Sequence, residues 1–120
     1  MVKIILVTHG QLAQQMLETA GQNIGKPADD GFATFSVTAA ASVEKEAAKL
    51  HEHLKTCQDG AIILTDIFGG SATNISLTAS KDLPKCHVIT GLNLSMLLTA
   101  INSRKKLSDK ELAEKIEADG

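Results

Sequence analysis

The stretch Ile4-Ile5-Leu6-Val7-Thr8-His9-Gly10 decides the fold, because four consecutive aliphatic residues end in a threonine, a histidine and a glycine. A strand that is apolar nearly throughout is typical of a parallel sheet that is covered on both faces. A second such strand, Ala61-Ile62-Ile63-Leu64-Thr65, runs into Asp66 and then into Gly69-Gly70-Ser71. Both strands become polar at their carboxyl ends, which is where ligands bind in open α/β sheets.

Strand and helix patterns alternate along the rest of the chain. We expect strands at residues 2–7, 32–37, 61–65 and 87–90. Helices are expected at residues 10–25, 43–55, from 70 or 71 to 80, from 94 with a buried stripe as far as 101, and 109–118. Ser42 and Asn93 are predicted N-caps, and Ser108 with Glu111 forms a predicted capping box. The first helix is expected to end at Gly25-Lys26-Pro27, because glycine and proline stop helices.

This alternation predicts an α/β fold, a three-layer open parallel sheet that is doubly wound, with helices on both faces. Right-handed crossovers favour the strand order 2-1-3-4. At 120 residues, the chain is expected to form a single domain over residues 1–120. The first and third strands are then neighbours at the switch point, and we expect His9 and Asp66 to face each other across it.

Composition and charge exclude several functions. A net charge of −2 weighs against binding to nucleic acid, and Arg104-Lys105-Lys106 is expected to be a solvated helix end. No apolar run approaches the roughly 18 residues of a membrane span.

Cys57 and Cys86 lack C-x-x-C spacing, so we expect free thiols in a reducing compartment. The chain enters a strand at Met1-Val2-Lys3-Ile4, which leaves no room for a signal peptide and predicts a cytoplasmic protein.

His9 and Asp66 suggest phosphoryl or nucleophilic chemistry. A neutral imidazole is a good nucleophile and phosphoryl acceptor. Reaction through one ring nitrogen requires a hydrogen bond that fixes the other, and Asp66 is the carboxylate in place for it. We therefore predict that Asp66 engages Nδ1 and that His9 reacts through Nε2. The alternative is a structural histidine that ends a strand.

Gly69, Gly70 and Ser71 form a candidate phosphoryl-binding loop. Glycines let the backbone approach a ligand, a helix N-terminus offers N–H groups to an anion, and the Ser71 hydroxyl can add a donor. The alternative is an ordinary strand-to-helix turn in which Ser71 only caps the helix. The remaining histidines are weaker candidates: His51 and His53 are expected to be solvated, and His87 lies at the wrong end of its strand. No metal site is predicted.

Three motifs together resemble the mannose-family IIA domain of the bacterial phosphoenolpyruvate-dependent sugar phosphotransferase system. They are Thr8-His9-Gly10, Asp66-Ile67-Phe68-Gly69-Gly70-Ser71 and Ile89-Thr90-Gly91-Leu92-Asn93-Leu94-Ser95-Met96-Leu97, and the resemblance covers about residues 2–101. It implies that His9 accepts a phosphoryl group from HPr and passes it to a histidine of a IIB domain. It also implies that Asp66 orients His9, that Ser71 contacts the phosphoryl group, and that no metal or organic cofactor takes part.

The same resemblance implies a homodimer in the cytoplasm, which meets the inner membrane only through a IIC/IID permease. A C-terminal strand exchanged between subunits would need more residues than the 120 of this chain. Ala72-Thr73 replaces a Pro-Phe pair of familiar mannose transporters, and Phe68 stands where tryptophan is often found. Both differences are expected near the surface that docks partner proteins.

Two other functions use the same histidine. A regulatory IIA-like sensor would be phosphorylated without taking part in sugar transport, and transfer to a IIB domain separates it from a transport component. The phosphotransfer subunit of a dihydroxyacetone kinase shares this fold and histidine, although the Gly-Gly-Ser loop is closer to sugar IIA proteins. A structural or scaffolding module with an inert crevice is a further alternative.

Overall fold

The computed structural model describes residues 1–24, 31–38, 42–67 and 70–120. In these ranges the strands are β1 (Lys3–His9), β2 (Phe32–Val37), β3 (Ala61–Thr65) and β4 (Cys86–Ile89). The helices are α1 (Leu12–Ile24), α2 (Val43–Lys55), α3 (Ser71–Ser80), α4 (Leu94–Ser103) and α5 (Asp109–Asp119). None of the helices in the described ranges has the length and apolar composition of a membrane span.

The strands form one parallel sheet in the order β2-β1-β3-β4, which confirms the predicted fold class and strand order. At the carboxyl end of the sheet, Val7 pairs with Thr65 on one side of β1 and His9 pairs with Val37 on the other. This register places the end of β1 beside the end of β3. The polar residues that follow the two strands therefore meet at one edge of the sheet.

Two apolar layers cover the sheet, one on each face. Ile4 and Leu6 of β1 belong to the layer that is closed by α1, α4 and α5, whereas Ile5 and Val7 belong to the layer closed by α2 and α3. Successive side chains of a strand point to opposite faces, so a strand buried on both faces has apolar residues at nearly every position. This is the physical origin of the unbroken apolar stretch in β1.

Several predicted boundaries shift by one or two residues. The first strand ends at His9 and not at residue 7, because Thr8 and His9 still pair with β2. The first helix begins at Leu12, not Gly10, because Gly10 has φ 57°, a left-handed conformation that no helical residue adopts. The last strand is Cys86–Ile89 instead of residues 87–90. The predicted stop at Gly25-Lys26-Pro27 lies outside the described residues.

The predicted helix caps are confirmed. The Ser42 hydroxyl accepts the N–H of Lys45, and the Asn93 side chain accepts the N–H of Met96. Ser108 and Glu111 form both hydrogen bonds of the capping box at the start of α5. These side chains bind N–H groups that have no partner within a helix.

Arg104 corrects the interpretation of the basic run as a solvated helix end. Its side chain is buried, with only 5% of the residue exposed, and Nε donates to the carbonyl oxygen of Val2 at 2.7 Å. The guanidinium carbon also lies 5.7 Å from the centre of the Phe32 ring. The long side chain reaches back to the start of the sheet, while Lys106 is exposed as predicted.

Candidate functional site

His9 and Asp66 are in direct contact at the carboxyl end of the sheet. Nδ1 of His9 lies 2.9 Å from Oδ2 of Asp66, and the main-chain N–H of His9 donates to the same oxygen at 3.1 Å. The other oxygen of Asp66 accepts the N–H of Ile67 at 3.0 Å. The parallel pairing of β1 with β3 produces this contact, as the strand order predicts.

The charge of Asp66 sets the tautomer of His9. Burial raises the pKa of the Asp66 carboxyl, but hydrogen bonds from the ring and main chain of His9 and from Ile67 outweigh burial, so the pKa is lower than usual. The carboxyl is therefore ionised at neutral pH and can only accept hydrogen bonds. Nδ1 of a neutral His9 then carries the hydrogen, which leaves the lone pair on Nε2. The His9 side chain is 43% exposed, so a reactant can approach it.

Two neighbours of His9 shape the turn between β1 and α1. Gly10 has φ 57°, donates its N–H to the carbonyl of Val37, and has open space where a Cβ would stand. The buried Thr8 hydroxyl accepts the N–H of Ala13 at 2.9 Å, which fixes the start of α1. Because residue 10 is a glycine, no side chain follows directly after the imidazole of His9 in this turn.

The N-terminus of α3 follows the site directly. Gly70 occupies the N-cap position, and the first hydrogen bond of the helix runs from the N–H of Asn74 to the carbonyl of Gly70 at 3.0 Å. The amides of residues 71–73 precede that bond, and such amides have no partner within a helix. Ser71 is the first helical residue and is exposed, so Gly70 and not Ser71 is the N-cap of α3.

Gly70 lies next to the imidazole. A Cβ built on Gly70 would stand 3.6 Å from Cε1 of His9 and 3.1 Å from Cδ1 of Ile67. The structure thus brings three of the predicted site residues, His9, Asp66 and Gly70, to one place, with Ser71 next in the chain. Gly69, the remaining predicted residue, lies outside the described residues.

Thr73 lies beside the Asp66 loop, a contact that the sequence does not predict. The Ala72-Thr73 pair is not on a docking surface as predicted, because Ala72 is 0% and Thr73 only 3% exposed. The Thr73 hydroxyl instead donates to the carbonyl of Ile67 at 2.5 Å and lies 3.2 Å from the hydroxyl of Thr65. The sequence signal for this contact is that threonines, Thr65 and Thr73, stand before and after the Asp66 loop. Phe68, the other expected docking residue, lies outside the described residues.

The other histidines take no part in this site. His51 is not solvated as expected, because its Nδ1 lies 2.8 Å from the carbonyl oxygen of Ala79 and joins α2 to α3. His53 is exposed. His87 lies near the amino end of β4, as predicted, with Nε2 2.7 Å from Asp109.

The described histidine, cysteine, aspartate and glutamate side chains do not form a cluster that could bind a metal ion. Within the described ranges, no group of three or more His, Cys, Asp and Glu side chains could hold a metal ion. Cys57 and Cys86 are both free thiols, and burial raises the pKa of each. Among the described residues, the carboxyl end of the sheet carries an oriented imidazole close to a helix N-terminus.

Comparison with known protein families gives a consistent match. A family model, EIIA-man, described as "PTS system fructose IIA component", matches residues 3–117. The "PTS system mannose-specific EIIAB component" of Escherichia coli (strain K12) is 32% identical over 105 residues, which are 86% of this chain and 32% of that protein. The chain therefore spans about a third of the length of this curated relative.

Solved structures of similar proteins share the whole fold. The "mannose/sorbose specific IIA subunit of phosphotransferase system" from Enterococcus faecalis has a TM-score of 0.86 and 31% identity, covering 99% of this chain and 89% of that one. The "phosphotransferase system component EIIA" from Streptococcus agalactiae has a TM-score of 0.87 and 28% identity, covering 99% and 92% of the two chains. The similarity thus includes both β1 and β3, whose ends carry His9 and Asp66.

Proposed function

The chain belongs to the family of mannose-type IIA components of the sugar phosphotransferase system, and from that premise we propose that it carries a phosphoryl group on Nε2 of His9. Membership of the family supports a phosphocarrier role in a sugar phosphotransferase system. The observation that carries the assignment to His9 is its 2.9 Å contact with Asp66, because this contact directs the ring lone pair to Nε2.

The proposed step is an in-line transfer between two imidazoles. The lone pair of His9 Nε2 attacks phosphorus, the N–P bond of the donor phosphohistidine breaks, and its electron pair returns to the donor ring. Nδ1 keeps its hydrogen, so no proton has to leave His9. Positive charge develops on the His9 ring and is stabilised by the Asp66 carboxylate.

The N-terminus of α3 would hold the transferred group. Phosphoryl transfer needs mainly positioning and stabilisation of charge on the phosphoryl oxygens. The amides of residues 71–73, the positive end of the helix dipole and the Ser71 hydroxyl can supply both. Gly70 lies beside Cε1 of His9, where a Cβ would stand 3.1 Å from Ile67, and we include Gly69 in the same loop.

The proposed partners are HPr as the donor and a IIB domain as the acceptor, which would pass the group on to sugar that enters through a IIC/IID permease. Two exposed apolar side chains support docking of proteins at this edge. Leu12 is 43% exposed and follows His9 by three positions, and Ile67 is 55% exposed and lies beside Gly70, as His9 does. We also propose that the chain is a single domain and acts as a homodimer in the cytoplasm.

The test is the intact mass after incubation with phosphoenolpyruvate, enzyme I and HPr. We expect the native protein to gain one acid-labile phosphoryl group, and His9→Ala to gain none. His53→Ala is the matched control, because His53 is exposed and lies on α2, and it should be phosphorylated like the native protein. Absence of any mass gain with active HPr would exclude the phosphocarrier function.

A second step separates transport from the alternatives. Purified phosphoprotein is mixed with a mannose-type IIB domain, and the phosphoryl group is followed by mass. Transfer to IIB supports the transport component. A phosphoprotein that keeps its group with IIB but transfers it to the other subunits of a dihydroxyacetone kinase would identify the chain as the phosphotransfer subunit of that kinase. Retention of the group in both mixtures would favour the regulatory sensor.

A further inference from the structure

Two threonine hydroxyls form a buried chain of hydrogen bonds beside the Asp66 loop. The Thr73 hydroxyl lies 2.5 Å from the carbonyl oxygen of Ile67 and 3.2 Å from the hydroxyl of Thr65. A carbonyl can only accept, so Thr73 donates its hydrogen to Ile67, and Thr65 must donate to Thr73. Thr65 is 0% and Thr73 3% exposed, so the bond between the two hydroxyls is buried, whereas the bond to Ile67 is partly buried.

Ile67 depends on hydrogen bonds for its position. Its N–H donates to Oδ1 of Asp66, and its carbonyl accepts from Thr73, so two successive peptide groups are held. Its side chain is 55% exposed and therefore contributes little packing to hold the residue. The orientation of the main chain at Ile67 is thus set by a carboxylate on one side and a threonine hydroxyl on the other.

We propose that the Thr73 hydroxyl, supported by Thr65, is a positioning group that holds the Asp66 carboxylate against Nδ1 of His9, an inference that rests on the proposed phosphocarrier function. Oδ1 of Asp66 is held by the N–H of Ile67, so a displacement of Ile67 turns the carboxylate and lengthens its bond to His9.

The test compares Thr73→Val, which has the same shape without a hydroxyl, with Thr73→Ser, which keeps the hydroxyl. Thr78→Val is the matched control, since Thr78 is exposed on the same helix. Two quantities are measured: the rate of phosphorylation of His9 by phospho-HPr, and the tautomer of the His9 ring by nitrogen NMR without any phosphoryl donor. We expect Thr73→Val to react about tenfold more slowly or worse, because small displacements of reacting groups have effects of this order.

The tautomer measurement distinguishes positioning from a merely structural role. Thr73→Val should lose the uniform Nδ1–H tautomer, whereas Thr73→Ser and Thr78→Val should keep both the tautomer and the rate. A native tautomer and rate in folded Thr73→Val would overturn the inference. If Thr73→Val does not fold, Thr65→Val replaces it: a smaller change in the same direction supports the inference, and no change overturns it.

The proposed function and the positioning role can fail separately. If the native protein takes no phosphoryl group from HPr but Thr73→Val still loses the Nδ1–H tautomer, the phosphocarrier function is wrong and the positioning role of Thr73 stands. If the native protein is phosphorylated and Thr73→Val matches it in rate and tautomer, the phosphocarrier function stands and the role of Thr73 is wrong.

Discussion

A single carboxylate oxygen of Asp66 accepts two hydrogen bonds from His9, one from ring Nδ1 at 2.9 Å and one from the main-chain N–H at 3.1 Å. The ring is thereby fixed relative to its own backbone, which is itself paired to a neighbouring strand. Asp66 thus controls the direction of Nε2 as well as the tautomer. An imidazole held in this way is already oriented for the phosphoryl transfer that we propose, so the reaction would require little reorganisation of the ring.

The first prediction is that Asp66→Asn slows phosphorylation of His9 by phospho-HPr about 100-fold or more, since loss of a tautomer-fixing carboxylate has effects of this size or larger. Both oxygens of Asp66 accept N–H groups, from His9 and from Ile67. An asparagine must turn its NH₂ toward one of these donors. The rate is measured by quenched-flow mass spectrometry, with Asp82→Asn as the control because Asp82 is exposed. Equal rates in the two variants would contradict the prediction.

The second prediction concerns acid stability. The pKa of Asp66 is lowered from 3.8 in the folded protein, because the hydrogen bonds from His9 and Ile67 outweigh the effect of burial. Its stabilising contribution is therefore complete above the unfolded pKa and is lost as pH falls through the lower folded pKa. We expect Asp66→Asn to lower the free energy of unfolding by about 2 kcal/mol at pH 7.

That difference should shrink as pH falls from about 5 and vanish once Asp66 is protonated in both states. Urea unfolding of both proteins over a pH series measures it. Glu18→Gln, at an exposed position of α1, is the control and should follow the native curve. A difference that stays constant down to the acid limit would show that Asp66 does not contribute through its charge.

The pattern of apolar strands predicts the sheet and the contact of His9 with Asp66, because right-handed crossovers leave few strand orders and parallel strands end at one edge. The positions of Thr73 and Arg104 could not be predicted in this way. Their partners are the main-chain carbonyls of Ile67 and Val2, the latter 102 positions from Arg104. Every residue has such a carbonyl, so the partner's side chain carries no signal of the contact.

The third prediction compares two glycines with left-handed backbone conformations. Gly60 has φ 95° and Gly91 has φ 77°, so alanine is strained at both, by about 1 kcal/mol. A Cβ at Gly60 would also stand 2.4 Å from the carbonyl oxygen of Lys85, whereas a Cβ at Gly91 meets nothing within 4 Å. We expect Gly60→Ala to lower the free energy of unfolding at least twice as much as Gly91→Ala.

Urea unfolding of the two alanine variants under identical conditions tests the comparison. The Lys85 oxygen is part of the main chain, where it also accepts the N–H of Ala61, so it cannot move away without breaking a bond between β3 and β4. If the free energy of unfolding falls equally in Gly60→Ala and Gly91→Ala, the main chain near Lys85 moves to accept the Cβ, and the prediction is wrong.

The last prediction is that Arg104 and Lys106, two residues of the basic run, differ in their effect on stability. Arg104→Met retains an unbranched side chain but removes the guanidinium, which donates to the carbonyl of Val2 and lies over the Phe32 ring. We expect the free energy of unfolding to fall by about 2 kcal/mol, the order of a hydrogen bond from a charged group. Lys106→Met, two positions along and exposed, is the matched control and should change it by less than about 0.5 kcal/mol. Urea unfolding measures both variants. Equal small changes would restore the interpretation of the run as a solvated helix end, whereas a loss confined to Arg104 would show that this arginine joins the end of α4 to the first strand of the sheet.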